Sequence, residues 1–131
     1  MRLLLDTHIA LWAVYQPEKL RARALSLLLA EGAEVWISVA SLWEIAIKNS
    51  KFPGHLPPVA QIRVDFAEAG FQEMAIAADV MAQVERLPLT IHHDPFDRLL
   101  IATAFSEPMH LVTHDSKVSA YDDSGRLILR C

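Results

Sequence analysis

Cysteine is nearly missing from this 131-residue chain, whose only thiol belongs to Cys131. A single cysteine excludes an intrachain disulfide, and it argues against a thiol-bound metal site and a Cys-His catalytic pair. The composition is therefore consistent with a protein that works in a reducing compartment such as the cytoplasm.

Long apolar runs are also missing. Asp, Glu, Lys or Arg interrupts every hydrophobic stretch before it reaches the roughly 18 residues of a membrane-spanning helix. The run Leu3–Leu5 follows Arg2 as in a signal peptide, but Asp6 and His8 cut it well short of a signal-peptide core. We therefore expect a soluble protein that is not exported.

A surplus of basic residues is missing as well, because 12 Lys and Arg stand against 16 Asp and Glu, for a formal net charge of −4. This balance excludes a broadly basic nucleic-acid-binding surface, so a polyanionic partner must be attracted locally or through a metal ion. Hydrophobic residues make up 53% of the chain, which is ample for a core. We expect residues 1–131 to form a single domain without a linker.

Apolar segments of two kinds alternate along the chain. Leu3–Leu5 is apolar on both faces, as in a central parallel strand covered by helices on each side. Further strands are predicted over 35–37, 71–76, 111–113 and 127–129, and helices over 7–16, 18–30, 40–50, 59–69, 77–86 and 98–105. Residues 52–58, with three prolines and a glycine, form the clearest loop. The alternation predicts an α/β fold with a mostly parallel sheet between two helical layers.

Four acids lie far apart in the sequence, yet each falls where an apolar segment ends or a helix begins: Asp6, Glu44, Asp97 and Asp115. Ligand crevices of parallel α/β folds form at the carboxyl ends of strands, so we expect these carboxylates to converge there. A divalent cation or a shared proton then has to offset their mutual repulsion. An oxygen-only site suits Mg²⁺ or Mn²⁺, with water and phosphate oxygens completing the coordination.

Each acid also has a purely structural explanation, which the sequence leaves open. Asp6 and Asp115 can cap the helices that follow them. Glu44 has capping-box spacing from Ser41, and it precedes Lys48 by the four residues of a favourable helical ion pair.

The capping residues of two helices can be assigned more specifically from the sequence. Ser38 is a more natural cap than Ser41 for the helix that carries Glu44, because it directly follows the strand. Asp94 is assigned to capping, since Pro95 then occupies the first helical position. Asp97 falls on the first turn of the same helix, where it can support the helix and still reach a cation.

Histidines accompany the acids, so a zinc or iron site has to be considered. No H-E-x-x-H spacing occurs, and we predict solvated or supporting roles rather than direct metal binding for these four side chains. If the strand continues that far, His114 and Asp115 point to opposite faces and do not bind one ion together. The histidines within two residues of an acid are His8, His92, His93 and His114.

Three tryptophans and three cations near the acids each have a structural and a functional interpretation. The tryptophans lie in the most apolar segments, where core packing is the default, whereas a role in stacking on RNA requires exposure. Three cations flank the proposed site and can meet phosphates or simply be solvated. These residues are Trp12, Trp36 and Trp43, and Lys48, Lys51 and Arg98.

Four stretches carry a family resemblance: 3–8 (LLLDTH), 41–48 (SLWEIAIK), 93–102 (HDPFDRLLIA) and 111–121, which begins LVTHD. In this order and spacing they resemble the motifs of PIN-domain proteins, and specifically the VapC-like toxins of bacterial toxin–antitoxin pairs. The second and third stretches are the most specific. The resemblance spans nearly the whole chain.

The resemblance implies a three-layer fold with a five-stranded parallel sheet, helices on both faces and an acidic pocket that binds Mg²⁺ or Mn²⁺. It also implies endoribonuclease activity, silenced by a VapB-like antitoxin whose C-terminal segment enters a groove of the toxin, and a toxin homodimer. By motif match the family's acids are Asp6, Glu44, Asp97 and Asp115, with Thr7 and Thr113 as polar neighbours.

The leading hypothesis is metal-assisted hydrolysis of a phosphodiester. Asp6 and Asp97 hold the ion most directly, Asp115 completes or supports the site, and Glu44 binds through water or orients the attacking water. The apolar faces of 18–30 and 59–69 are a candidate groove for an antitoxin helix.

Three alternatives stand beside this hypothesis. A phosphatase that forms an aspartyl-phosphate at Asp6 lacks the second Asp of the haloacid-dehalogenase type, because His8 occupies that position. A phospho-receiver domain requires an acid at the end of a third strand and a Lys after a late strand, and this sequence has neither in the expected context. The third alternative is a catalytically idle module that binds RNA or protein and uses its acids only as helix caps.

Overall fold

A computed structural model describes residues 1–89 and 93–131 and contains a five-stranded sheet whose neighbouring strand pairs are all parallel. The strands are β1 (Arg2–Leu5), β2 (Glu34–Ser38), β3 (Gln72–Met74), β4 (His110–Thr113) and β5 (Ile128–Arg130). Their order across the sheet is β3-β2-β1-β4-β5. The predicted α/β class with a parallel five-stranded sheet is confirmed.

Helices cover both faces of this sheet. Leu3 and Leu5 pack on one face against residues of the first four helices, whereas Leu4 packs on the other face against residues of the last helices. This division follows from the alternation of side chains along a strand. The helices are α1 (Thr7–Tyr15), α2 (Ala22–Leu29), α3 (Val39–Lys51), α4 (Val59–Glu68), α5 (Met81–Arg86), α6 (Pro95–Ser106) and α7 (Ser116–Ser119).

Two predicted helices are interrupted. Over 18–30 a 3₁₀ turn at Pro17–Lys19 is followed by extended Leu20 and Arg21 before α2 begins, because the chain turns there to bury Leu20 in the core. Over 77–86 a 3₁₀ turn at Ala78–Val80 precedes α5. Here Val80 is buried, whereas Met81 is 45% exposed.

The strand order places a crevice between β1 and β4. From β1 the chain proceeds to β2 on one side of it, whereas β4 and β5 lie on the other side, so the order reverses between β1 and β4. Ligands of open α/β sheets bind outside the carboxyl ends of strands at such a reversal. The backbone N–H of Asp6 donates to the carbonyl of Val112 at 3.0 Å and holds the two strand ends together.

No helix in residues 1–89 or 93–131 combines the length and the apolar character needed to cross a membrane.

Candidate active site

Asp6 lies at the end of β1 with only 6% of its surface exposed. Its Oδ1 accepts a hydrogen bond from the backbone N–H of His8 at 2.9 Å, which caps α1. Its Oδ2 accepts from the hydroxyl of Thr113 at 2.8 Å. Both oxygens are therefore oriented, one by its own helix and one by the neighbouring strand.

Thr113 joins the two acids that follow β1 and β4. Its side chain is fully buried, and its Oγ1 accepts from the backbone N–H of Asp115 at 3.1 Å while donating to Asp6. Asp115 Oδ1 in turn accepts from the N–H of Lys117 at 2.8 Å and caps α7. A single buried hydroxyl thus sets the relative positions of Asp6 and Asp115.

Glu44 is held by α3. Ser38 caps this helix by accepting from the N–H of Ala40 at 3.0 Å, so the capping box between Ser41 and Glu44 is not formed. The Glu44 side chain is 15% exposed, and its Oε2 lies 3.7 Å from Lys48 Nζ. The hydroxyl of Thr7 donates to Ser41 Oγ at 2.9 Å and ties the start of α1 to α3.

Asp97 occupies the first turn of α6, as predicted from the Asp-Pro-x-Asp sequence. Asp94 caps this helix through its Oδ1, which accepts from the N–H groups of Phe96 at 2.9 Å and of Asp97 at 3.0 Å. Pro95 stands at the first helical position, where its missing N–H costs nothing. The capping role predicted for Asp94 is confirmed.

These segments enclose a cavity of about 710 Å³. All four acids that the sequence singled out line it. Asp94 was not predicted to line the cavity, because its capping role already explained its presence. Its position three residues before Asp97 was the signal that could have placed it there. The described wall consists of Asp6, Glu44, Asp97 and Asp115 together with His8, Trp12, Lys48, Asp94, His114, Ser116 and Arg130.

The cavity wall is dominated by negative charge. Among the described residues it holds five carboxylates against the permanent cations Lys48 and Arg130. Across residues 1–89 and 93–131 no three His, Cys, Asp or Glu side chains form a group that could hold a metal ion. Mg²⁺, however, keeps several waters and usually takes only one or two carboxylates from a protein. Oxygen donors around a net negative cavity therefore fit a hard divalent cation.

Two of the histidines near the acids, His8 and His114, line the cavity. The His8 side chain is 60% exposed, with its Nδ1 3.9 Å from Asp6 Oδ1, and His114 Nδ1 lies 2.9 Å from the carbonyl oxygen of Cys131. Because β4 ends at Thr113, the condition for opposite orientations of His114 and Asp115 is not met, and both residues line the cavity. The predicted role of His92 lies outside the described residues.

Of the three tryptophans, Trp43 departs from the predicted core packing, whereas the half-buried Trp12 and Trp36 pack against core residues as predicted. Trp43 is 58% exposed and meets Phe96 edge-on at 5.1 Å between ring centroids, because Leu42 and Ile45 occupy the buried face of α3. Trp12 is half-buried and lines the cavity, with ring centroids 6.0 Å from His8 and 5.4 Å from His114. Trp36 is also only half-buried.

Arg98 is not a candidate phosphate contact. Its side chain is buried, and its guanidinium donates to the carbonyls of Val84, Leu87 and Pro88, each at 3.0 Å, and to the hydroxyl of Tyr121 at 3.2 Å. These bonds fix the segment after α5 against α6. The expectation that Arg98 flanks the site as a solvated or phosphate-binding cation is therefore wrong.

Comparisons with known proteins agree with this architecture. The PIN domain family matches residues 3–124. The chain is 28% identical over 120 residues to ribonuclease VapC22 of Mycobacterium tuberculosis, covering 90% of each protein.

Two solved structures share the fold. One belongs to the VapBC2 complex of Rickettsia felis bound to a DNA fragment from its promoter, with 19% identity, a TM-score of 0.68 and coverage of 93% of this chain and 94% of the other. The second is a toxin–antitoxin complex from Klebsiella pneumoniae, with 20% identity, a TM-score of 0.62 and coverage of 97% and 95%. The resemblance to VapC-like PIN proteins read from the sequence motifs is confirmed, and the chain belongs to the PIN domain family.

Proposed function

We propose that this chain is a divalent-metal-dependent endoribonuclease that hydrolyses RNA phosphodiester bonds and serves as the toxin of a toxin–antitoxin pair in the cytoplasm. In this proposal residues 1–131 act as one PIN-like domain. One observation carries it: acids from four separate segments, Asp6, Glu44, Asp97 and Asp115, line one cavity at the reversal of strand order. The ribonuclease name of the Mycobacterium tuberculosis relative supports RNA as the substrate.

The residues of the cavity divide the proposed work among them. Asp6 and Asp97 bind a Mg²⁺ or Mn²⁺ ion, and Asp115 completes or supports that site. Glu44 orients the attacking water. When bound, the ion supplies Lewis-acid activation of water and neutralises charge that develops on the phosphate.

Polar neighbours hold these acids in place. The Thr113 hydroxyl keeps the Asp6 carboxylate turned toward the cavity, because it donates to Oδ2 from the adjacent strand. Thr7 acts on the other side by linking the start of α1 to Ser41 of α3. Hydrogen bonds of this kind orient metal-binding carboxylates and raise the affinity of the site.

The cations of the wall suit a polyanionic substrate. Lys48 and Arg130 lie on the same cavity as the acids, although the chain as a whole carries a net negative charge. Their charges offset that of an RNA backbone at the place where cleavage is proposed. Attraction of RNA is then local, as the overall charge balance requires.

The cleavage assay has four arms. The wild-type chain is expected to cut RNA with Mg²⁺ and to lose this activity in EDTA, and Asp6→Asn and Asp97→Asn should each lower the rate by about a hundredfold or more. Asp79→Asn changes an exposed acid outside the cavity and serves as the matched control. Undiminished cleavage in EDTA and in both variants would remove the proposal.

A VapB-like antitoxin and a second copy of the chain are the proposed protein partners. The solved neighbours are complexes of toxin and antitoxin, which supports such a partner. Leu25 of α2 is 37% exposed and Val64 of α4 is 50% exposed, so these helices offer apolar surface for an antitoxin segment. Leu25→Glu with Leu28→Glu should weaken capture of the antitoxin encoded beside this chain and spare RNA cleavage, and unchanged capture would count against α2.

A catalytically idle binding module is the second candidate. It is favoured by the caps that Asp6, Asp94 and Asp115 provide for α1, α6 and α7. Calorimetric titration with Mn²⁺ separates the two candidates. Binding that disappears in Asp97→Asn supports the nuclease, whereas no binding, or binding that does not depend on Asp97, supports the idle module.

A further inference from the structure

A second cavity of about 450 Å³ lies beside the acidic one, at the C-terminal end of α3. Its walls are Lys48, Asn49, Phe52, His55 and Leu56, and its accessible surface is apolar. Lys48 also lines the acidic cavity, so the two hollows share this side chain as a wall residue. Neither the acids nor the proposed hydrolysis makes use of this apolar hollow.

Phe52 is the main apolar group of the second cavity. Its side chain is 59% exposed, and its ring stands edge-on to His55, with centroids 6.0 Å apart and planes at 88°. An aromatic ring that is exposed beside a cavity can stack on the base of a single-stranded nucleic acid. The exposed ring is therefore a candidate stacking platform.

The loop that carries this ring is fixed in shape. The N–H of Phe52 donates to the carbonyl of Lys48 at 2.8 Å and closes the last turn of α3. Asn49 Nδ2 donates to the carbonyl of Pro57 at 2.9 Å and ties the far end of the loop back to the helix. Gly54, with φ +88°, makes the sharp turn between them. The cavity is thus formed before a ligand arrives.

Glu44, Lys48 and Phe52 follow one another at intervals of four residues. Residues four apart lie on nearly the same face of a helix, so an acid, a cation and an aromatic ring succeed each other along α3. The eight residues from Glu44 to Phe52 span about 12 Å of helix axis. A stacked nucleic-acid strand rises about 3.4 Å per nucleotide, so this distance corresponds to roughly three to four nucleotides.

We propose that the apolar cavity lined by Phe52 and His55 accepts an unpaired base of the RNA that is cut at the acidic cavity, and this inference rests on the proposed function. The base stacks on the Phe52 ring, and Lys48 meets the phosphate that connects it to the acidic cavity. Every base has an aromatic face that can stack on a ring, so the subsite selects for an unpaired nucleotide at a fixed distance and tolerates its identity.

RNA is favoured over a protein segment as the occupant by charge and by continuity. Lys48, which lines both cavities, and the exposed Lys51 bring positive charge to the C-terminal end of α3. In this proposal an RNA strand that is bound at the acids passes Lys48 as it leaves the acidic cavity. An antitoxin side chain is the competing occupant, and the experiment distinguishes it.

The test combines kinetics with fluorescence. After the wild-type cut site is mapped on an RNA hairpin with an unpaired loop, Phe52→Ala should lower kcat/KM by about ten- to a hundredfold, the loss expected for one base–aromatic stack. Phe52→Trp should keep most of the activity. Ile76→Ala, which alters an apolar side chain that is 41% exposed and lines neither cavity, is the matched surface control.

The fluorescent base 2-aminopurine, placed at each loop position in turn and bound in EDTA, reports stacking directly. Quenching at one position a few nucleotides from the cut site, present in the wild type and Phe52→Trp but lost in Phe52→Ala, supports the subsite. Unchanged kinetics and quenching in Phe52→Ala overturn it, as does a variant that loses only antitoxin binding. A wild type that neither cuts nor binds RNA overturns the proposed function itself.

Discussion

Replacing Thr113 by valine removes one hydroxyl from the site and keeps the shape of the side chain. In the wild type this hydroxyl donates to Asp6 Oδ2 at 2.8 Å and accepts from the N–H of Asp115 at 3.1 Å. Thr113 is fully buried and Asp6 is 6% exposed, so water does not readily replace the lost donor. The variant leaves a buried carboxylate and a backbone N–H each short of one partner.

The magnitude follows from these two bonds. A hydrogen bond to a charged group contributes about 1.5–3 kcal/mol, and a neutral one contributes about 0.5–1.5 kcal/mol. We expect Thr113→Val to lower the free energy of unfolding by about 2–4 kcal/mol, which moves the urea midpoint down by roughly 1–2 M for a domain of this size. Loss of a hydrogen bond that orients a metal-binding carboxylate should also weaken Mn²⁺ binding by about ten- to a hundredfold.

Urea unfolding and calorimetry with Mn²⁺ measure the two effects on the same preparations. Thr103→Val is the matched control, because the Thr103 hydroxyl donates at 2.8 Å to Leu99, a carbonyl of its own helix that lies outside the cavity wall. The control should lose little stability and no affinity for Mn²⁺. If Thr113→Val behaves like Thr103→Val in both measurements, the reasoning about the Asp6 carboxylate is refuted.

Three further predictions follow from single side chains. Arg98→Lys should lower the free energy of unfolding by about 2–4 kcal/mol in urea titrations. The reason is that a single ammonium nitrogen lacks the spread of the two guanidinium nitrogens that donate to the three carbonyls. An unchanged midpoint contradicts this prediction. Burial raises the pKa of Asp122, but hydrogen bonds from Ser124 and two backbone amides outweigh it and hold the pKa below its ordinary value. The ionised carboxylate therefore stabilises the fold above about pH 4. The difference in free energy of unfolding between the wild type and Asp122→Asn should shrink as the pH falls below that point. A difference that does not change with pH contradicts the lowered pKa of Asp122. Lys48→Met should reduce the slope of log affinity for RNA against log salt by about 0.7, measured by fluorescence anisotropy, and an unchanged slope argues against a phosphate contact.

Much of the fold could be predicted because its signals are local. The apolar run of β1, the prolines of the loop after α3 and the Asp-Pro start of α6 each determine their element through backbone sterics or capping. The interrupted helix over 18–30 could not be predicted in this way. Its leucines keep helical spacing, and the break arises because Leu20 enters a core formed by distant segments.

The convergence of the acids could be predicted from topology, since a parallel sheet brings strand ends together. Lys48, His8 and His114 were also predicted beside the acids, but Trp12, Ser116 and Arg130 could not be, because they have no distinctive local sequence. Trp43 was predicted to be buried because its neighbours are apolar. Its exposure depends on which face of α3 the sheet covers, and that face is settled by long-range packing of Leu42 and Ile45.

A helix cap and a metal-binding carboxylate look alike in sequence, so the hydrogen bonds beyond the cap have to distinguish them. Capping α1 requires only that one Asp6 oxygen accept from the N–H of His8. The donation from Thr113 to the other oxygen adds nothing to that cap, and it comes from a strand more than a hundred residues away along the chain. An idle module gains only stability from this buried bond, whereas a nuclease gains an acid turned toward its cavity. Measuring Mn²⁺ affinity and stability together in Thr113→Val therefore tests whether Asp6 is only a helix cap or also a metal-binding carboxylate.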